Sequence, residues 1–166
     1  MQASDQQLES AGNTLGEWLV EHGKTIATAE SCTGGWVAKV LTDRAGSSAY
    51  LMAGLVTYSN EAKQAILGVE ESVLAEHGAV SEPVVRQMVA GVIRAADADI
   101  AVAISGIAGP GGGTDEKPVG TVWFAWGTGP DRIETSTQCF DGDRDQVRRK
   151  SVLYVLQGVT EFLKTL

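Results

Sequence analysis

The stretch Thr28–Val40, TAESCTGGWVAKV, changes character at its middle. Upstream, Lys24–Ala29 (KTIATA) is a short run with β-branched residues, which predicts a strand; downstream of Gly34-Gly35, Trp36, Val37, Val40 and Leu41 recur at helical spacing. Ser31 and Cys32, two possible nucleophiles, therefore occupy a strand-to-helix turn. Before the strand, Leu8, Ala11, Leu15, Trp18 and Leu19 mark one face of a helix from Ser4 to His22, closed by Gly23. After the helix come a turn, RAGSSA, and a buried-strand candidate, Tyr50–Tyr58 (YLMAGLVTY). Ser59 or Asn60 then caps EAKQAIL, which puts Lys63 near the first turn of that helix. A short helix over about Glu71–His77 leads to a longer one for which Ser81 is the expected N-cap and Pro83 a tolerated first-turn residue. The strand DIAVAIS ends at Ser105, and a glycine- and proline-rich loop, Gly106–Gly120, separates it from TVWFAWG. The turn TGPD predicts an antiparallel hairpin with RIETSTQCF, and an amphipathic helix closes the chain, with Asp143 as a candidate cap. Helices alternating with strands, followed by one late hairpin, predict an α/β fold: a three-layer α/β/α sandwich on a mixed, partly antiparallel sheet, with residues 1–166 as one domain.

Composition narrows the function classes. Thirteen basic against twenty-one acidic residues leave a net charge of −8, so a nucleic-acid backbone would meet net repulsion. The apolar runs fall short of the roughly 20 residues that span a bilayer, and the opening MQASDQQLES lacks the order of a signal peptide. The expectation is a cytoplasmic protein with no nucleic-acid or membrane partner. Cys32 and Cys139 have no paired metal-ligand spacing, and only His22 and His77 offer imidazole, so neither a metal site nor a disulfide framework is expected.

The loop GIAGPGGGT invites a nucleotide reading, but it lacks a Gly-Lys-Ser/Thr ending, does not match G-x-G-x-x-G in register, and leads into a strand. Both phosphate-cradling motifs require a helix start at that point. A ligand-lining loop and a plain connector remain. A serine hydroxyl needs a base, and both histidines stand beside helix-ending glycines, which leaves lysine as the candidate. Lys63 serves only if it is partly desolvated; a solvated surface lysine is the alternative. Ser31 has an alternative as a helix N-cap, and Cys32 as buried filler or as the nucleophile itself.

Five blocks now fall into a recognisable order: TAESCTGGWVAKVLTDRAGSSAY, GLVTYSNEAKQAILGV, HGAVSEPVV, ISGIAGPGGGTDEKPVGTVWFAW and FDGDRDQVRRK. Together they resemble the CinA carboxy-terminal domain family from about Thr25 to Lys150. The resemblance implies hydrolysis of the carboxamide of nicotinamide mononucleotide to nicotinate mononucleotide and ammonia, without a cofactor, in a homodimer. It implies Ser31 as nucleophile and Lys63 as base and brings Tyr58 to the pocket, where a hydrogen bond to Lys63 is the expected catalytic role of Tyr58. It also brings Ser48, Ser105, Gly106 and Arg144 to the substrate. Thr33, Gly34 and Gly35 complete the expected pocket, with backbone N–H groups at that helix start holding the oxyanion. Two further readings are a non-catalytic module that binds a pyridine nucleotide or a protein, and an amidohydrolase that uses Cys32. Among the basic residues of GDRDQVRRK, Arg144 is expected on the phosphate, with Arg148 and Arg149 as alternatives.

Overall fold

The computed structural model describes residues 2–166. Five strands form one sheet: β1 Ile26–Glu30, β2 Leu51–Val56, β3 Ile100–Gly106, β4 Thr121–Gly129 and β5 Arg132–Cys139. Their spatial order is β2-β1-β3-β4-β5, with β2, β1 and β3 parallel and β4 antiparallel to both β3 and β5. Six helices flank it: α1 Asp5–His22, α2 Trp36–Asp43, α3 Asn60–Leu67, α4 Glu71–His77, α5 Glu82–Ala96 and α6 Arg144–Leu163. This is the predicted three-layer sandwich on a mixed sheet. Among the described residues no helix is long and apolar enough to cross a membrane.

Strand alternation sorts the core by size. Ile26, Ile100, Val102, Ile104, Val122, Phe124 and Trp126 point to the face covered by α1, α2 and α6. Ala27, Ala29, Ala101, Ala103 and Ala125 point to the other, where Val84, Val85, Met88, Val89 and Val92 of α5 pack closely on the small side chains. The same alternation decides where the polar end of β1 goes. Thr28 and Glu30 fall on the α2 side, so the next residue, Ser31, turns toward α3.

Three local readings are corrected. The run Tyr50–Tyr58 is an edge strand with Met52 and Val56 half exposed, because its only sheet neighbour is β1; an apolar run does not reveal strand order. Ser31 caps no helix: α2 begins after Gly35, whose positive φ of 97° only glycine adopts without strain. Ser81 holds the N-cap position of α5 as expected, but its hydroxyl donates to the Gly78 carbonyl at 2.7 Å and accepts from no helix N–H. Asp143 does cap α6, in a reciprocal capping box with Gln146.

Candidate active site

The carboxyl ends of β1, β2 and β3 lie together at one edge of the sheet, where open α/β folds bind ligands. The Ser31 N–H donates to the Ile104 carbonyl at 3.0 Å and the Thr57 N–H to the Glu30 carbonyl at 2.9 Å, so the three strand ends are stitched to one another. Helix α3 starts just beyond β2, with the Ser59 hydroxyl accepting from the Ala62 N–H. Its first turn carries Lys63 back over the strand ends. The lysine is 1 % exposed, and its Nζ lies 3.0 Å from Ser31 Oγ, 2.9 Å from the Thr57 carbonyl oxygen and 3.1 Å from that of Tyr58. Burial pushes the Lys63 pKa below its ordinary value of 10.5, toward the neutral amine. Among the described residues no carboxylate forms an ion pair with it.

Around this pair lies a cavity of about 290 Å³, lined also by Cys32, Tyr58, Ser105, Gly106, Arg144 and the first half of the glycine-rich loop. The loop's neck is closed by Ile107 N–H to the Thr121 carbonyl and Gly120 N–H to the Ile107 carbonyl, and its far side is tied to α4 by the Lys117 ammonium on the His77 carbonyl. The loop therefore lines the cavity and is not a plain connector. Arg144 donates to the Gly109 carbonyl at 2.8 Å and to the Tyr58 hydroxyl at 3.3 Å, leaving part of its fork toward solvent at the mouth. Tyr58 is 61 % exposed, and its contact with Lys63 is made by the backbone carbonyl, not by the phenol. Cys32 lines the wall, and burial pushes its thiol up to about 12, away from the thiolate form that a cysteine nucleophile uses.

The other expected site residues lie elsewhere in the chain. Thr33 is buried with its hydroxyl on the Glu30 carboxylate at 2.6 Å. Gly34 and Gly35 line a larger cavity of about 650 Å³ between α1 and α2, on the far side of the turn, with no nucleophile and base facing each other. Ser48 belongs to a single 3-10 turn, Ser47–Ala49, ahead of β2, at the opposite end of the sheet. The first N–H groups of α2 are not free for an oxyanion either, since those of Val37 and Ala38 already donate to Glu30 at 2.9 and 3.0 Å.

Glu30 is not among the sequence-derived site residues; its one signal is an acidic residue closing an otherwise uncharged strand. Arg148, an alternative for the phosphate, reaches 116 residues back in the chain to donate to the Cys32 carbonyl at 3.0 Å, and to the Thr33 carbonyl at 3.3 Å, with its guanidinium over Trp36. Arg149 is held by Asp5 and Asp145. Of the three arginines, only Arg144 lines the smaller cavity. Among the described residues no group of three or more His, Cys, Asp or Glu side chains is placed to hold a metal ion.

Comparison with known proteins agrees with this arrangement of elements. The chain is 58 % identical over 154 residues to the nicotinamide-nucleotide amidohydrolase PncC of Escherichia coli strain K12, covering 93 % of each. It is 50 % identical over 147 residues to the protein of that name from Pseudomonas putida, covering 89 % of this chain and 91 % of the relative. The crystal structure of the competence damage-inducible protein A (ComA) from Klebsiella pneumoniae superposes with a TM-score of 0.91 at 43 % identity, over 95 % of this chain and 97 % of that one. The profile of the CinA C-terminal domain matches residues 8–163, and the chain belongs to that family.

Proposed function

We propose that this chain is an amidohydrolase that converts the carboxamide of nicotinamide mononucleotide to the carboxylate and releases ammonia, with Ser31 as nucleophile and Lys63 as base. One observation carries the reading: the three neighbours of the buried Lys63 Nζ. A neutral amine has two N–H groups and one lone pair. The carbonyls of Thr57 and Tyr58 accept the two N–H groups, which leaves the lone pair to accept from the Ser31 O–H when that hydroxyl turns to it from the Tyr58 carbonyl, 3.4 Å away. As Ser31 attacks the carboxamide carbon, its proton passes to Nζ, and the resulting ammonium has three donors for three oxygens. Collapse of the tetrahedral adduct returns that proton to the departing amine, forming ammonia and a seryl ester. Water then attacks the ester, giving its proton to Nζ and on to Ser31 Oγ as the acid leaves.

Ser105 and Gly106 end β3 on the strand beside Ser31 and line the same cavity, in position to meet the reacting group, while Arg144 at the mouth offers a cation to the phosphate. Ser48 reaches a site only from a second copy. Pairing of two exposed β2 edges in antiparallel fashion would bring one chain's Ser48 turn near the other's Tyr58, and a homodimer of this kind forms part of the proposal. The test is ammonia release from nicotinamide mononucleotide by the purified chain, repeated after thiol alkylation. Activity that survives alkylation is expected. No ammonia from the folded chain would reduce it to a binding module. Loss on alkylation that Cys32→Ala does not reproduce would mark obstruction of the cavity.

A further inference from the structure

Beside the nucleophile, Glu30 is completely buried and forms no ion pair, yet its carboxylate accepts four hydrogen bonds. The donors are the Thr28 hydroxyl at 3.2 Å, the Thr33 hydroxyl at 2.6 Å, and the N–H groups of Val37 and Ala38. A helix start is ordinarily satisfied by the residue at its own N-cap, where serine, threonine or aspartate does this at the surface. Here that position is Gly35, which has no side chain, and the cap comes from a residue five positions upstream that is covalently bonded to Ser31. We propose that Glu30 is a positioning residue: its carboxylate seats α2 against the end of β1 and thereby fixes the turn that aims Ser31 at Lys63. The proposal rests on the Ser31–Lys63 reading above.

Three features carry it. The α2 N-terminus and the two hydroxyls aim four donors at the two carboxylate oxygens, so the residue serves as a rigid node. Neither carboxylate oxygen forms a hydrogen bond with Ser31 or Lys63, and both are filled by donors, so Glu30 takes no proton in the reaction. Strand alternation puts Glu30 and Ser31 on opposite sides of the sheet, so any shift of the carboxylate tilts the intervening peptide and swings Oγ away from Nζ. Thr33, expected at the substrate, becomes part of the same brace.

Glu30→Gln keeps the size and replaces one acceptor with an N–H₂ group that cannot accept from the α2 backbone. Displacing a reacting atom by a fraction of an ångström costs about 10- to 100-fold, so kcat for nicotinamide mononucleotide is expected to fall by that factor with KM within about twofold. The rate at which a small fluorophosphonate, which needs no mononucleotide subsite, phosphonylates Ser31 is expected to fall in parallel. Thr33→Val removes one of the four donors and leaves the charge; about a 3- to 10-fold loss in kcat at unchanged KM is expected, and this variant decides the matter if Glu30→Gln does not fold. Wild-type kcat in Thr33→Val, or in folded Glu30→Gln, overturns the proposal. So does a loss that only follows the unfolded fraction seen by circular dichroism, or a KM that rises as kcat falls. Failure of the underlying reading is seen separately, in a wild-type chain that neither releases ammonia nor is labelled at Ser31.

Discussion

The cavity has two ends with opposite physical character. At the inner end Ser31, Cys32 and Lys63 are buried, every contact of Lys63 is specified, and its charge is disfavoured by burial. At the mouth Tyr58, Asn60 and Arg144 are exposed, and the Arg144 guanidinium meets water. Chemistry that needs an uncharged amine belongs where water is excluded. Recognition of a charged group tolerates water, and there the full charge is wanted. The comparison predicts that changes at the inner end act on turnover, and changes at the mouth on affinity.

The largest effect is expected from Ser31→Ala, with kcat lowered by about 10³-fold or more and binding of the mononucleotide, measured by calorimetry, nearly unchanged. Near-normal turnover would break the comparison at its buried end. Next comes pH. In the proposed mechanism Lys63 acts as the neutral amine, so kcat/KM should rise with pH along an acid limb whose midpoint lies below the ordinary lysine value of 10.5. A flat profile from neutral to alkaline pH would remove Lys63 as the base. Arg144→Ala should raise KM for the mononucleotide by about 10- to 100-fold with a much smaller change in kcat, and leave the phosphate-free riboside almost unaffected. Equal weakening of both substrates would place Arg144 on the loop through Gly109 and not on the phosphate. The smallest effect belongs to Tyr58→Phe, about threefold or less in kcat, since the backbone carbonyl and not the phenol meets Lys63. A large fall would return the phenol to the proton path.

The layer architecture was legible in the sequence because periodicity and punctuation agree: Gly23 after a helical face, the hairpin turn after TVWFAWG, the Asp143 capping box. Lys63 was placed on its helix but not in its environment. Burial there depends on α3 folding back over strand ends, and helical spacing alone describes a solvated lysine equally well. The resemblance, not the periodicity, singled it out. The contacts of Arg148 and Thr33 were not legible for a related reason. Their partners are a turn more than a hundred residues away and a carboxylate inside the sheet layer, and local sequence contains no trace of either. Ser48 is a different case, since its distance from the cavity within one chain follows from the parallel pairing of β1 and β2, a long-range fact.

Burial of Lys63 has a thermodynamic side as well. Unfolded, its amine holds a proton up to about 10.5; folded, it gives that proton up earlier. Between those two values the unfolded chain binds more protons, so the contribution of Lys63 to folding free energy improves as pH rises through the window, and at any pH below it the full penalty is present. Near neutrality the reactive centre is thus a standing weakness in the folded state, offset by the two flanking cores. Part of the conformational stability of the chain is forgone to keep one amine ready to accept a proton.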